Sequence, residues 1–343
     1  MKPTIYSIAA ALGVSASTVS RAFSRPELVR AELRERILSV AKEQGYQTNR
    51  AARELVTGTS AFIGIAVVDI TNPFIPPLVR EIDERIRGLG RSPVLLDLSS
   101  AGESAVGELR NLASQVAALV IVAPRMADDE LRQAVGAVPT LLVNHRVSGF
   151  PSVLCENTAA LREAAASLER LGHRRLLVLT GPEGSWAAQQ RASALREWAD
   201  QSPEIELMAL GPINGAFDAG RSMAPEIISS GATGVLAFDD MLACGVIAGL
   251  LDAGHNVPND YSVIGCDDVL LARTTTPQLS TIAAPVEELG SAVALGLTAL
   301  LAAEMPDDQV HEGTFLPRGT TAPAPSAPSP RHPDSEAASA VPN

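Results

Sequence analysis

The stretch TIYSIAAALGVSASTVSRAFSR, Thr4–Arg25, decides how the first part of the chain folds. Its first half places apolar side chains at helical spacing, at Ile5, Ile8, Ala9 and Leu12. Thr4 stands where an N-cap belongs, and Gly13 supplies the positive φ that ends a helix. Ser15 is placed to cap a second helix over 16–23, which Val14 and Val19 pack back onto the first. Two short helices joined by a tight, glycine-containing turn are typical of a DNA-binding helix-turn-helix, with an ordinary helical hairpin as the alternative.

Charge is distributed unevenly along the chain. Residues 1–60 hold nine Lys or Arg and five acidic side chains, for a net charge of +4, whereas the whole chain carries −12. A basic head on an acidic body favours binding of DNA through one end only. A chance asymmetry of surface charge is the alternative interpretation.

Length and composition predict a multidomain globular protein. The chain has 343 residues, of which 46% are hydrophobic, enough for two or three domains. No apolar run approaches the roughly 18 residues of a membrane span, and the N-terminus is better explained by the helix-turn-helix than as a signal peptide. We therefore expect a cytoplasmic, nucleoid-associated protein with no membrane partner. Cys155, Cys244 and Cys266 are far apart, which argues against a disulfide framework or a zinc site.

Two further segments complete the head. Residues 30–44 predict a third helix, with Gly45 as its C-cap and an apolar face made by Leu33, Ile37, Val40 and Ala41. NRAARELVT, residues 49–57, is too short to form a stable helix alone, so we expect it to order only on a partner. TGTS, residues 57–60, then resembles a linker.

From residue 61 onward the pattern changes to alternating strands and helices. The near-continuous apolar runs that indicate buried strands are AFIGIAVVDI (61–70), PVLLDLS (93–99), AALVIVAP (117–124), PTLLVNH (139–145), RRLLVLTGP (174–182), GVLAFDD (234–240) and YSVIGCDD (261–268). The helices predicted among them include 77–89, 187–200 and 241–253. This alternation implies parallel sheets, and about ten strands predict two doubly wound subdomains rather than one sheet.

Polar clusters follow several of these strands, at 69–74, 144–146, 239–240 and 267–268. In open α/β sheets, ligands bind at the carboxyl ends of the strands, so these clusters are candidate binding residues. Beyond Thr320 the chain becomes rich in Pro, Ala and Ser, and we expect this tail to be disordered.

Taken in order, these motifs resemble the lactose-repressor (LacI/GalR) family of transcription regulators over residues 4 to about 323. VSASTVSRAF is similar to the family's recognition helix, EQGYQTNRAARELVTGTS to its third helix, hinge helix and linker, and IGIAVVDITNPF to its first core strand. LGHRRLLVLTGP, NVPNDYSVIGCDD and TTPQLSTI are similar to later core motifs. The resemblance implies an all-α helix-turn-helix head and an α/β core of two doubly wound, parallel-sheet subdomains like a periplasmic binding protein.

The domain boundaries expected on this basis are a DNA-binding domain at 1–48, a hinge helix and linker at 49–60, an effector-binding and dimerisation core at 61–320, and a disordered tail at 321–343. Within the core, the N-subdomain comprises about 61–156 and 283–312, and the C-subdomain about 157–282 and 313–320.

The chain departs from the family pattern at the effector site. Glu156-Asn157 stands for the usual Asp-Asn, Asp239-Asp240 for the usual Asn-Asp, and Cys266 for an aromatic residue. An effector-stacking aromatic of some members falls near Gly215. These changes leave the identity of the effector open.

The recognition helix offers Ala16, Ser17 and Arg21 at the positions that the family uses to read base edges. Arg21 has the strongest chemistry, since a guanidinium pairs bidentately with guanine, and a phosphate contact is its alternative role. Ser15, Thr18 and Ser20 are expected to cap the helix or to contact phosphates. In the hinge, Leu55 matches the leucine that the family wedges into the minor groove. The predicted DNA-binding residues are Thr4, Ser15, Ala16, Ser17, Thr18, Ser20, Arg21, Asn49, Arg53 and Leu55.

The effector is expected between the core subdomains. A sugar or nucleoside presents vicinal hydroxyls to Asp and Arg and an apolar face to aromatic rings. The candidates that the resemblance implies are Asn72, Phe74, Asn144, Arg146, Arg191, Asp239 and Asp267. Trp186 and Phe238 are neighbouring candidates for stacking on a sugar or base ring. Helix capping is the alternative for Asp239 and Asp267, and core packing is the alternative for Phe74. Asp267 and Arg191 are expected to approach the same crevice from neighbouring βα units.

The function implied is a homodimeric regulator, a repressor by family habit, that binds pseudo-palindromic operator DNA and releases it when effector changes the angle between the core subdomains. A transcriptional activator is the alternative within the family. A periplasmic sugar-binding protein would lack residues 1–60, and no nucleotide-binding or hydrolase motif supports an enzyme. Neither a cofactor nor a metal is predicted, because adjacent acids at strand ends more often cap helices.

Overall fold

The computed structural model describes residues 3–24, 28–46, 60–99 and 102–325. Contacts divide the chain into two compact units, Met1–Ala61 and Phe62–Asn343. The described part of the first unit is all-α, and the second unit is α/β with parallel sheets, which confirms the predicted fold class.

The described part of the first unit consists of the helices α1 (Ile5–Leu12), α2 (Ala16–Ser24) and α3 (Ala31–Glu43). The N-cap Thr4 exchanges two hydrogen bonds with Ser7, at 3.0 and 3.2 Å, and α1 ends at Gly13 with φ +67°. At the start of α2, the Thr18 N–H donates to Ser15 Oγ across 3.1 Å, as predicted. The helix-turn-helix therefore follows from local capping chemistry.

A small apolar core joins the three helices. Its buried members are Ile8, Ala9, Val19, Ala22, Ile37 and Ala41. Helix α3 is one residue shorter at each end than predicted, and its C-cap is Gln44, with Gly45 following at φ +65°. The apolar positions that periodicity selected in α1, α2 and α3 are the ones that pack together.

The second unit contains a six-stranded parallel sheet. Its strands are β1 (Phe62–Val67), β2 (Ser92–Asp97), β3 (Ala118–Val122), β4 (Thr140–Val143), β5 (Ser152–Glu156) and β11 (Gln309–Glu312), in the order β11-β5-β4-β3-β1-β2. The helices that cover it are α4 (Ile75–Gly88), α5 (Ala105–Ala113), α6 (Asp128–Val135) and α13 (Val286–Leu301). Because helices pack on both faces, every residue of β3 is buried.

A four-stranded parallel sheet forms the other half of this unit. Its strands are β6 (Arg175–Leu179), β7 (Glu206–Leu210), β8 (Gly234–Ala237) and β9 (Ser262–Ile264), in the order β7-β6-β8-β9. Its helices are α7 (Thr158–Arg170), α8 (Trp186–Ala199), α9 (Phe217–Ser222), α10 (Ala224–Ser230), α11 (Asp240–Asp252) and α12 (Leu270–Thr274). We call the halves built on the six-stranded and four-stranded sheets the N-subdomain and the C-subdomain.

An antiparallel pair, β10 (Thr281–Ala283) with β12 (Thr314–Leu316), lies where the chain passes between the two subdomains. Neither strand was predicted from the sequence, since each has only three residues and no alternating pattern. Helix α4 begins at Ile75 rather than Pro77, because proline is tolerated in the first turn of a helix.

The end of the core requires a correction. The disordered tail was expected to begin at residue 321, but the chain is described through Pro325. Ala322 N–H donates to Ser262 Oγ at 3.0 Å, and Ala324 N–H donates to the Leu171 carbonyl at 2.8 Å. These bonds hold the segment on the C-subdomain. The ordered core therefore extends at least through Pro325, five residues beyond its predicted end at Thr320. The remainder of the predicted tail, 326–343, falls outside the described residues.

Candidate functional site

The outer surface of α2 carries the predicted base-reading residues. Ser17 and Arg21 are exposed, whereas Val19 and Ala22 on the opposite side are buried. Ala16, Thr18 and Ser20 are half-buried. Within the described residues, the Arg21 guanidinium forms no ion pair, so α2 presents it to solvent.

Ser15 organises the start of this helix. Its Oγ lies 2.7 Å from Ser17 Oγ and 2.8 Å from Thr18 Oγ1, in addition to capping α2. A hydroxyl cluster at a helix N-terminus suits contact with phosphate oxygens. The other predicted contacts of this region, Asn49, Arg53 and Leu55, lie outside the described residues, and their roles stay predictions.

Tyr6 is an exposed aromatic that the sequence analysis did not select. Its side chain on α1 is 77% exposed, and it lies outside the apolar face of the helix, on which Ile8 and Ala9 are buried. The sequence signal for an exposed aromatic of this kind is an aromatic side chain at a position outside the apolar face of an amphipathic helix.

Arg191 and Asp267 form the centre of the candidate effector site. Arg191 Nη2 donates to Asp267 Oδ1 across 2.8 Å, and the two side chains are only 14% and 7% exposed. Arg191 Nη1 also donates to the Phe238 carbonyl, and its guanidinium carbon lies 4.8 Å above the centre of the Phe238 ring. Three predicted residues from α8, the end of β8 and the end of β9 therefore come together, as the strand-end rule implies.

Asp239 caps helix α11 with one of its two carboxylate oxygens, and the other oxygen takes no part in the cap. Its Oδ1 accepts from the Leu242 N–H at 2.8 Å, so the capping alternative describes this oxygen correctly. Its Oδ2 is buried and meets no hydrogen-bond partner among the described residues, and a Cβ at Gly215 would clash with it. Burial, followed by the charge of Asp267, raises the pKa of Asp239 to about 7.

The neighbouring Asp240 is fully engaged with protein groups. Its two oxygens accept from Thr281 Oγ1 at 2.6 Å and from the Val269 N–H at 2.9 Å. Burial is the main cause that raises its pKa, to about 8. Asp240 thus joins α11 to the segment after β9, a structural role that the sequence analysis did not assign.

Phe74 and Asp267 line a cavity of about 460 Å³ between the subdomains. The cavity is bounded by the start of α4, the segment 267–270 and the crossing segment 283–287. Its volume lies in the range of small-molecule sites. Asn72 directly precedes the cavity-lining residues Pro73 and Phe74 in the sequence but does not line the cavity itself. Its Oδ1 accepts from the Phe74 N–H at 3.0 Å, which orients the loop before α4.

Two predicted residues do not join this group. Asn144 is buried, and its Oδ1 accepts from the Cys155 N–H at 2.8 Å, which ties β4 to β5. Arg146 pairs with Asp308 at 3.8 Å and lines a separate open cavity with residues 147–152 and 305–308. Asn144 itself has φ +52°, at the point where the chain leaves β4.

Trp186 is the first residue of α8, five positions before Arg191, and the two border a small void with Cys155 and Asn157. Asn157 lies between two thiols, 3.5 Å from Cys155 Sγ and 3.5 Å from Cys266 Sγ. Burial raises the pKa of the Cys155 thiol to about 12, so it is protonated at neutral pH. All three cysteines are free.

The part of the chain that the structure describes contains no cluster of three or more His, Cys, Asp or Glu side chains arranged to hold a metal ion. Within the same residues, no helix combines the length and apolarity that crossing a membrane requires.

Comparison with known proteins relates both units to one kind of regulator. Residues 4–49 match the family of bacterial regulatory proteins, lacI family, and residues 165–321 match a periplasmic binding protein-like domain. The ribose operon repressor of Bacillus subtilis is 29% identical over 85% of this chain and 89% of its own length. The Escherichia coli ribose operon repressor is 29% identical over 84% of this chain and 89% of its own.

Solved structures give the same result. The lac repressor dimer bound to operator and an anti-inducer superposes with a TM-score of 0.83 at 26% identity, covering 94% of this chain and all of that one. A LacI family regulator from Enterococcus faecium with bound ribose gives a TM-score of 0.69 at 27% identity, covering 76% of this chain and 99% of its own.

Proposed function

The chain belongs to the LacI family of bacterial transcription regulators, and we propose that it is a homodimeric repressor that binds operator DNA and responds to a sugar. The observation that carries the proposal is the presence of a helix-turn-helix unit and a two-sheet core on one chain. A stand-alone sugar-binding protein has no use for the first unit. Repression is favoured over activation because the relatives include operon repressors.

DNA recognition in this proposal rests on α2. Its exposed Ser17 and Arg21 face solvent, where Arg21 can reach a base edge and the hydroxyls around Ser15 can contact phosphates. Leu55 of the hinge, and Asn49 and Arg53 beside it, complete the proposed interface. Each half of a dimer then reads one half of a pseudo-palindromic site.

The effector site in this proposal is the cleft around Asp267. Asp267 is shared by the 460 Å³ cavity and the buried pair with Arg191, so a ligand in the cavity meets a carboxylate that is already oriented. Phe74 gives the cavity apolar surface, and the Phe238 ring packs against the guanidinium of Arg191, the partner of Asp267. Regulators related to this chain in structure bind ribose, and a sugar is the class of ligand that this site suits.

The proposal also covers the subdomain boundaries, the cellular location and the question of catalysis. The subdomain boundaries near residues 156 and 283 and around 313 are supported by the membership of β5, β10, β11 and β12 in the sheets. As a DNA-binding regulator the protein would work in the cytoplasm. The family is one of regulators rather than enzymes, and we assign no catalytic residue.

Selection of binding sites from random duplexes by the full-length protein tests the DNA-binding half of the proposal. We expect enrichment of a pseudo-palindrome, with an affinity that falls steeply as salt rises because phosphate contacts release counterions. Absence of sequence enrichment, or affinity that does not respond to salt, would contradict the assignment.

A further inference from the structure

Arg318 pairs with the acidic residue next to Asp267, although it was not among the site residues predicted from the sequence. Its Nη2 lies 2.6 Å from Asp268 Oδ1, and the two side chains are only 16% and 12% exposed. The contact is an ion pair without hydrogen-bond geometry. The second partner of Asp268, Arg273, lies farther away, at 3.4 Å, and is 61% exposed. Because exposed ion pairs contribute little, Arg318 is the main partner of this carboxylate.

The backbone at Asp267 and Asp268 is in a conformation that its surroundings have to hold. The two residues have φ +105° and +51°, in the left-handed region that favours glycine. The Asp267 N–H donates to the Ile282 carbonyl at 2.7 Å, whereas the Asp268 N–H reaches Thr281 Oγ1 only at 3.4 Å. The ion pair with Arg318 is therefore the shorter of these two contacts that hold Asp268.

Arg318 is itself well fixed, in the segment after β12. Its backbone N–H donates to Ser280 Oγ at 2.9 Å, and its Nη1 donates to the Leu279 carbonyl at 3.2 Å. The next residue, Gly319, donates its N–H to the Gln278 carbonyl at 2.9 Å. Both ends of the Arg318 side chain are thus held by protein groups, so it supports the turn as a fixed group and not as a mobile surface charge.

The adjacent residues Asp267 and Asp268 pair with different arginines. Asp267 pairs with Arg191 of α8 across 2.8 Å, and Asp268 pairs with Arg318. Both aspartates line the 460 Å³ cavity, whereas Arg318 does not. Any effect of Arg318 on a ligand in the cavity must therefore pass through the turn at 267–268.

We propose that Arg318 is a positioning residue of the effector site, which acts through Asp268 to hold the turn that presents Asp267 to the cavity. This inference rests on the proposed function. Without Arg318, the Asp268 side chain is released and the turn can relax toward negative φ, which moves the Asp267 carboxylate relative to a ligand. The pair with Arg191 fixes the carboxylate of Asp267, and Arg318 fixes the backbone that carries it.

The position of Arg318 also depends on how the chain crosses between the subdomains. Arg318 stands six positions after Glu312, the end of β11 in the N-subdomain sheet, and two positions beyond β12, which pairs with β10. A shift of this crossing segment is therefore transmitted to the turn at 267–268 through the ion pair. Ligand binding at the turn and the arrangement of the crossing segment are then coupled, each affecting the other by the same free energy.

The test combines sugar titration with hydrogen–deuterium exchange of the full-length protein. Thermal shifts with D-ribose, D-xylose, D-galactose and D-glucose identify the sugar that stabilises the wild type most, and calorimetry measures its affinity. The variants are Arg318→Met, Arg318→Lys, Asp268→Asn and the double variant Arg318→Met/Asp268→Asn. The matched control is Arg175→Met, which removes an exposed ion pair with Glu206 from the same subdomain. Urea denaturation establishes that each variant is folded.

We expect Arg318→Met to weaken binding of that sugar by about 10-fold, and Arg175→Met to bind it like the wild type. Arg318→Lys keeps the charge and should lose less, and it replaces the methionine variant if that one does not fold. Adding Asp268→Asn to Arg318→Met should cost little further affinity, because the two residues act as a unit. Without sugar, the amides of residues 265–271 should exchange faster in Arg318→Met than in the wild type or the control.

Three results would each overturn the inference while leaving the proposed function intact. They are wild-type sugar affinity in folded Arg318→Met, additive losses from Arg318→Met and Asp268→Asn, and unchanged exchange over residues 265–271. Failure of every sugar to bind the wild type would remove the inference and the sugar-responsive half of the proposed function together. The DNA-binding half is tested separately by site selection.

Discussion

The guanidinium of Arg191 and the carboxylate of Asp267 form a hydrogen-bonded ion pair, 2.8 Å apart, that is largely shielded from water. Arg191→Ala would leave the Asp267 charge buried and unpaired, and we expect a loss of about 3–5 kcal/mol in the free energy of unfolding. Urea denaturation measures it. The double variant Arg191→Ala/Asp267→Ala should recover part of the loss, and a single-variant loss below about 1 kcal/mol would mean that the pair is solvated.

Stability should depend on pH through Asp239. Its pKa in the folded protein is about 7, whereas an unfolded Asp titrates near pH 4. Between these values the folded state keeps a proton that the unfolded chain releases, so stability falls as pH rises from about 4 to 7. Asp239→Asn keeps the Oδ1 cap and removes the titration.

We therefore expect the melting temperature of Asp239→Asn to fall less between pH 5 and pH 8 than that of the wild type. Scanning calorimetry measures both curves, and Asp129→Asn, at an exposed acid in the first turn of α6, is the control. Parallel curves for wild type and Asp239→Asn would show that Asp239 does not titrate in this range.

Arg21→Ala should relax specificity. If the guanidinium pairs with a guanine, its loss costs about 1–3 kcal/mol and flattens the preference at one base position in each half-site. Titration of operator variants, each altered at one position, measures this. An equal loss on every operator variant would instead make Arg21 a phosphate contact.

Leu55→Ala should reduce both affinity and bending of the operator. A leucine wedge in the minor groove unstacks a base step, which costs a few kcal/mol and gives the protein a bent duplex to hold. Gel-shift titration on circularly permuted fragments reports affinity and bend angle together. Wild-type values of both, in a variant that still dimerises, would exclude Leu55 as the wedge.

Periodicity and capping residues were sufficient to predict the helix-turn-helix and the two parallel sheets. Thr4, Gly13 and Ser15 act at helix ends through their own side chains or backbone preference, so their roles are local. The meeting of Arg191 and Asp267 was also predictable, because both follow strands whose carboxyl ends share an edge.

The direction that a side chain takes after a strand was not predictable. Arg146 stands three residues beyond β4, and Asn144, between them, has φ +52°. A single positive φ decides which way the chain leaves the sheet, and no periodic pattern encodes it. The family resemblance placed Arg146 at the effector site, whereas in the structure it pairs with Asp308.

The central claim is that a small ligand in the cleft around Asp267 controls operator binding by the separate helix-turn-helix unit. The most direct measurement is operator affinity, by fluorescence anisotropy, of wild-type and folded Asp267→Ala protein with and without the sugar that best stabilises the wild type. The account predicts that the sugar weakens operator binding by the wild type and has little effect on Asp267→Ala, whose sugar-free operator affinity stays near wild type. An unchanged sugar dose-response in Asp267→Ala would contradict the placement of the effector site.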